Sequence, residues 1–204
     1  MIVTVLLIVA TCAVSFYAFK RQGMAMELAM WPPGVRGKKQ YWRFVTYGFV
    51  HADMQHLLFN MITLFFFGRA VEVLLGSYIG PIGYGLFYLS ALVLAILPSY
   101  QQHRNDARYI SIGASGAVSA VLFSFILFQP WSMIFVFFFP IPAIVYAVLY
   151  VGFTIYMDRK GRDNINHSAH LWGAAYGVLI TLAVAPNVLN TFVARLLHPQ
   201  FGGF

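Results

Sequence analysis

The sequence predicts an all-α membrane protein, a bundle of six transmembrane helices with a long interfacial loop between the first and the second. Two observations carry this reading. Of the 204 residues, 60% are hydrophobic and only 9% are charged, against about 25% charged in an ordinary soluble domain. The apolar residues are also gathered into runs of the length that crosses a bilayer, roughly 18 residues or more. Such runs cover 1–19, 57–75 (interrupted by Arg69 and Glu72), 79–98, 132–157 and 169–186, with a shorter sixth over 115–128. The whole of 1–204 is expected to form one membrane domain, its core over 42–186 and a C-terminal tail over 187–204.

The first run has no basic residues ahead of it and no small-x-small cleavage site before Lys20, so it reads as a retained helix rather than a signal peptide. The following loop, 20–50, contains Trp31, Pro32, Pro33, Gly34, Trp42 and Arg43. It is long for a connection in a compact bundle, and its Trp, Tyr and Met content suits the membrane interface. Later connections are shorter, at 76–80, 99–113, 129–131 and 158–168, and the tail carries a mildly amphipathic stretch over 188–197. The fourth helix is short. From Ser115 to Gln129 it reaches about 22 Å, against about 30 Å of hydrocarbon. Ser115 therefore starts below the membrane surface, where irregular backbone is tolerated only if protein buries it or water fills a cavity. Gly113 and Gly116 suit such a non-helical approach.

The formal net charge is +7. The basic residues form short clusters beside apolar helices, as at Lys20 and Arg21, Arg36 to Lys39, and Arg159 to Arg162, without interleaved aromatics or a groove-binding motif. That pattern is membrane-flanking charge and not a nucleic-acid surface. Cys12 is the sole cysteine, which excludes intramolecular disulfides and cysteine-rich metal sites. No cofactor is suggested.

Ionisable side chains at membrane depth point to function. The second helix opens on His51, His56 and Asn60, the fourth on Gly113, Ser115 and Gly116, and the sixth on His167, His170, Gly173 and Gly177. Helices 2, 4 and 6 run in one direction, so their N-terminal ends share a membrane face. His56 and Asn60, at i and i+4, project from one side of their helix. Gly113, Gly116 and Ala120 recur at helical spacing, and Gly173 and Gly177 follow His170 at i+3 and i+7. Small residues so spaced let membrane helices meet backbone to backbone. Packing these two faces together would set Ser115 beside His170, a nucleophile beside a base.

Each feature alone has a plainer meaning. A serine between glycines permits helix packing, and a membrane histidine makes an interhelical hydrogen bond. His51 and His56 could ligate a metal, but no carboxylate or third ligand accompanies them at helical spacing. A histidine proton relay would need polar residues continuing to the far side, and below Asn60 and Ser124 the helices are almost purely apolar. Three helices delivering a serine, histidines and an asparagine to one depth favour a site.

Over about 42–181 the chain resembles the rhomboid family of intramembrane serine proteases. The resemblance rests on Trp42-Arg43, on the array His51, His56 and Asn60, and on the "GRAVE" stretch from Gly68 to Glu72. It continues with Gly113-x-Ser115-Gly116 and the run from Ala169 and His170 to Gly173 and Gly177. It implies Ser115 as nucleophile and His170 as general base. His56, Asn60 and the Ser115 backbone N–H would stabilise the oxyanion, and His51 would support the site. It further implies that Arg43 and Glu72 tether the first loop. Helix 5, with Pro140 and Pro142, and the 158–168 cap would form a lateral gate. The implied partners are membrane lipid and the transmembrane segments of other proteins, cut where a helix can unwind. The alternative is an inactive relative that binds transmembrane clients; such relatives usually lack the serine or the histidine, and this chain keeps both.

Two departures stand out. One turn after the serine the family commonly has an aromatic residue packed on the histidine, and here it is Ser119. Another ring, such as Trp172, would have to substitute. Of the 13 basic residues, all but Arg69 and Arg195 fall in loops on the motif face, which by the positive-inside rule would be cytoplasmic. The resemblance implies instead an active site opening to the extracytoplasmic side of a cell or inner membrane.

Overall fold

The computed structural model describes residues 1–21, 23–136, 138–161 and 165–199. Helix α1 (Ile2–Lys20) turns Thr4, Leu7, Thr11, Ser15 and Ala18 inward and exposes Ile2, Leu6, Val9 and Phe16. Small and hydroxylated residues inside with apolar ones outside is the order expected where the solvent is lipid, since close packing and not apolar burial joins the helices. The predicted first loop holds three short helices, α2 (Met24–Leu28), α3 (Pro32–Lys38) and α4 (Arg43–Thr46), and a 3-10 turn, Tyr47–Phe49.

Helix α5 (Met54–Thr63), a π-helical turn at Leu64–Gly68 and α6 (Arg69–Leu74) form one rod. Helix α7 (Gly76–Gln102) is broken at Gly80, where φ is 69°. Pro81 follows, and proline suits the first helical turn because its missing N–H would be unpaired there. The long apolar section thus begins at Pro81, close to the predicted start, but it continues past Pro98 to Gln102. Helix α8 (Ser115–Phe128) comes next, then strands β1 (Met133–Val136) and β2 (Phe139–Pro142), α9 (Ala143–Lys160), α10 (His167–Val184) and α11 (Val188–Leu197).

The expectation of a helix over 132–157 is corrected at its beginning. β1 and β2 pair antiparallel, Met133 opposite Pro142 and Val136 opposite Phe139. Pro140 and Pro142 lack N–H groups and disfavour helical conformation at the residues before them, so α9 starts only after Pro142. Its C-terminus is closed by Gly161 in the left-handed region at φ 57°, as helix ends often are. Of the predicted 158–168 cap, residues 162–164 lie outside the described residues, as do residues 200–204 of the tail.

Among the described residues three helices are long and apolar enough to cross a membrane: Ile2–Lys20, Met54–Leu74 and Gly76–Gln102. α10 and α11, bent by 111° at their junction, add a fourth candidate if taken together. The chain is an integral membrane protein. Its centre is α8, which has no charged residue and is buried at every position from Gly116 to Leu127; a helix apolar on all sides belongs in the core. α10 and α7 are its principal neighbours. A Cβ on Gly173 would fall onto the Gly116 carbonyl oxygen, and one on Gly177 onto that of Ala120. One turn further along the seam, the Ser124 and Thr181 hydroxyls lie 2.7 Å apart.

Candidate active site

The approach to Ser115 is held from three sides. Ser111 makes an antiparallel bridge with Met30, its N–H donating to the Met30 carbonyl at 3.1 Å and its carbonyl accepting from the Met30 N–H at 2.9 Å. The Gly113 N–H donates to the Tyr47 carbonyl at 2.9 Å. Gly113 itself has φ +113°, and a Cβ there would meet His56 Cε1 at 2.6 Å. Glycine is thus required twice, for the backbone conformation and for the room the imidazole occupies.

His51 holds the next residue. The Ser15 hydroxyl donates to the Phe49 carbonyl at 2.9 Å, which can only accept. Ser15 Oγ must therefore accept from His51 Nδ1, 3.0 Å away. That leaves Nε2 as the acceptor for the Ala114 N–H at 3.3 Å. These bonds specify a neutral ring protonated at Nδ1. Burial pushes the His51 pKa down to about 3, nearby His56 adds to this, and Asp53 opposes it.

His170 is placed by the start of α10. The Asn166 side-chain oxygen caps the helix by accepting from the Ala169 N–H at 3.0 Å, and it also accepts from the Ser99 hydroxyl at 3.0 Å. Its amide donates to the Tyr109 hydroxyl at 2.8 Å and to the Ser111 hydroxyl at 3.2 Å. Asn166 so ties α10 to α7 and to the segment entering α8. One turn into α10, His170 Nε2 lies 2.7 Å from Ser115 Oγ. Both residues are half-buried.

On the far side, Asp53 caps α5 by accepting from the His56 N–H at 2.7 Å. The His56 ring meets His51 edge-on at 4.9 Å, and the Asn60 amide donates to the His56 carbonyl at 2.9 Å. His56, Asn60, Ser115 and His170 line one cavity of about 1160 Å³. The first N–H groups of α8, beginning with Ser115, have no intrahelical acceptor, and Ser115 shares the lining of this cavity with His56 and Asn60. Gly116, Gly173 and Gly177 stand behind it, in the α8–α10 seam described above. Among the described residues no three His, Cys, Asp or Glu side chains gather as metal ligands would.

Three expectations need correction or completion. The ring stacked on His170 is not Trp172, whose residue is 53% exposed, but Tyr150 from α9, with ring centroids 6.3 Å apart and planes 17° from parallel; the His167 ring also meets His170, edge-on at 5.9 Å. The Tyr150 hydroxyl lies 2.7 Å from Ser119 Oγ. Arg43 donates to the Met26 and Ala29 carbonyls at 2.9 and 2.6 Å and to Gln40 at 2.7 Å. Among the described residues Glu72 meets α1 and not the first loop. Its carboxylate accepts from the Val3 and Thr4 N–H groups at 3.0 and 2.9 Å and so pins the start of α1, where a helix has unpaired donors. It sits near the other end of the Met54–Leu74 rod, about 27 Å from Met54 at 1.5 Å per residue. Tyr150 and Asn166 escaped the sequence reading. Tyr150 gave no local signal, whereas Asn166, just before a helical apolar run, is a recognisable N-cap.

A model of the rhomboid domain matches residues 38–187. The chain belongs to the rhomboid family. The rhomboids it resembles include RHOMBOID-like protein 12, mitochondrial, of Arabidopsis thaliana, 35% identical over 147 residues, covering 66% of this chain and 44% of that protein. Rhomboid-related protein 1 of Caenorhabditis elegans is 29% identical over 187 residues, 85% of this chain and 48% of the relative. Rhomboid protease GlpG of Enterobacter sp. (strain 638) is 30% identical over 119 residues, 57% and 40% of the two chains. This rhomboid thus spans less than half the length of each of these curated relatives.

Proposed function

We propose that this rhomboid is an intramembrane serine endopeptidase that hydrolyses peptide bonds in or near the transmembrane segments of other membrane proteins. The observation that carries the reading is the 2.7 Å contact between His170 Nε2 and Ser115 Oγ, both lining a cavity of about 1160 Å³. Family membership, with a relative named as a protease, supports it.

His170 in its neutral form takes the Ser115 proton at Nε2 as Oγ attacks the scissile carbonyl. The tetrahedral oxyanion is stabilised by the Ser115 N–H, by His56 and by the Asn60 amide, fixed donors that gain strength where water is sparse. The imidazolium then returns the proton to the departing amine, and the acyl-enzyme is released by a water that His170 deprotonates in the same way. In the usual triad a carboxylate orients the imidazole; here the close packing of α8 and α10 brings His170 to Ser115 without one. Peptide bonds inside an intact helix are hydrogen-bonded and shielded, so substrates are expected to carry helix-weakening residues with a small residue at the cut. In this reading six helices span the membrane as a single domain, and the site opens to the extracytoplasmic side of a cell or inner membrane.

The test is cleavage of a transmembrane substrate tagged at both ends, by the purified protein in detergent and in liposomes. Cleavage is expected from the parent and is expected to vanish in Ser115→Ala and in His170→Ala. Binding of the substrate with no cleavage under any condition would favour the client-binding alternative.

A further inference from the structure

We infer that Tyr150 is the positioning residue for the base, holding the His170 ring in register with Ser115 through a contact that Ser119 fixes; this rests on the protease reading above. The geometry forms a closed circuit. The Ser119 hydroxyl lies 2.8 Å from the Ser115 carbonyl oxygen, which can only accept, so Ser119 donates there. Ser119 Oγ must then accept from the Tyr150 hydroxyl at 2.7 Å. The Tyr150 ring lies nearly parallel to that of His170, 6.3 Å between centroids, within the range of offset aromatic contacts. His170 Nε2 closes the circuit at 2.7 Å from Ser115 Oγ.

Each link has a distinct physical task. Whether Nε2 points at Oγ depends on the tilt of the imidazole, and a flat neighbour restricts that tilt. A tyrosine on another helix can serve only if its own ring is fixed. The bond to Ser119 fixes it against the backbone of the nucleophile itself. The circuit crosses α8, α9 and α10, so the base is in register only while α9 is seated. Tyr146, one turn earlier on α9, packs on Tyr150 at 5.8 Å and lines the same cavity. The wall of the site and the support of the base are therefore one element. Ser119 is polar in a core helix because it holds this ring; it is 4% exposed and its hydroxyl is fully engaged.

The experiment follows phosphonylation of Ser115 by a small fluorophosphonate, which needs no transmembrane substrate, and reads separately the fraction of protein labelled and the rate constant. Tyr150→Phe and Ser119→Ala each remove the same hydrogen bond from opposite ends. Each is expected to slow labelling about 3- to 10-fold, and the double variant about as much as either single one. Tyr150→Ala, which removes the ring, is expected to slow it about 30- to 100-fold, the scale of a misplaced catalytic group. In all of them the labelled fraction of folded protein stays that of the parent. A smaller labelled fraction at the parent's rate constant would mean that Tyr150 is merely structural and would overturn the inference. So would effects that simply multiply in the double variant. Failure of the parent itself to label would overturn the protease reading instead, and the inference with it.

Discussion

Keeping His51 neutral is a requirement of the fold, because its Nε2 accepts the Ala114 N–H immediately before Ser115. Its pKa is about 3 when folded, against an ordinary value of 6.5, so the unfolded chain takes up the proton first as pH falls. Stability is then complete above about pH 6.5 and is lost toward about pH 3, by up to about 1.4 kcal/mol per pH unit. Thermal unfolding in detergent should fall steadily from pH 7 to pH 4.5, and His51→Gln should flatten that dependence. An unaltered slope in the variant would assign the acid sensitivity elsewhere. His56 and Asn60 belong to the same scale with a different consequence. Asn60→Ala is expected to lower kcat about 100-fold, the usual loss on removing one oxyanion donor, with the melting temperature little changed. An unchanged kcat would remove Asn60 from the oxyanion site.

The α8–α10 seam decides whether Ser115 and His170 meet. Gly173→Ala would drive a methyl into the Gly116 carbonyl, where no side chain can yield. A loss of about 1–3 kcal/mol is expected from such overpacking, with cleavage falling out of proportion because the separation of Ser115 from His170 is set by that contact. A variant as stable and as active as the parent would show that the helices can part without cost. This seam was legible in the sequence, since Gly116, Ala120, Gly173 and Gly177 lie at the spacing that close helix contacts demand. The β1–β2 hairpin was not. Residues 132–142 are as apolar as a spanning helix, and only Pro140 and Pro142 mark the interruption. Tyr150 was illegible for another reason: it meets Ser119 across a separation of 31 residues, and no local pattern encodes a contact between two helices at that distance. The donors of Glu72, the Val3 and Thr4 N–H groups, are illegible for the same reason: a carboxylate on an apolar helix needs donors, and the sequence does not say which.

Across the whole molecule, the proposed topology puts the basic motif-face loops outside, against the positive-inside rule. Single cysteines in a Cys12→Ala background test it with an impermeant maleimide on intact cells. Arg108→Cys and Gly161→Cys are expected to label from outside, and Ser77→Cys and Asn187→Cys only after permeabilisation. The reverse pattern would mean that the charge of the loops sets the topology; labels from one pair split between sides would contradict the six-span arrangement. The proposed chemistry makes Ser115, activated by His170, a nucleophile. Mass spectrometry of the purified protein after reaction with a fluorophosphonate tests it most directly. One adduct on the peptide carrying Ser115 is predicted, absent in Ser115→Ala and strongly slowed in His170→Ala. An unmodified Ser115 in the folded parent, or modification that persists at full rate without His170, would contradict it.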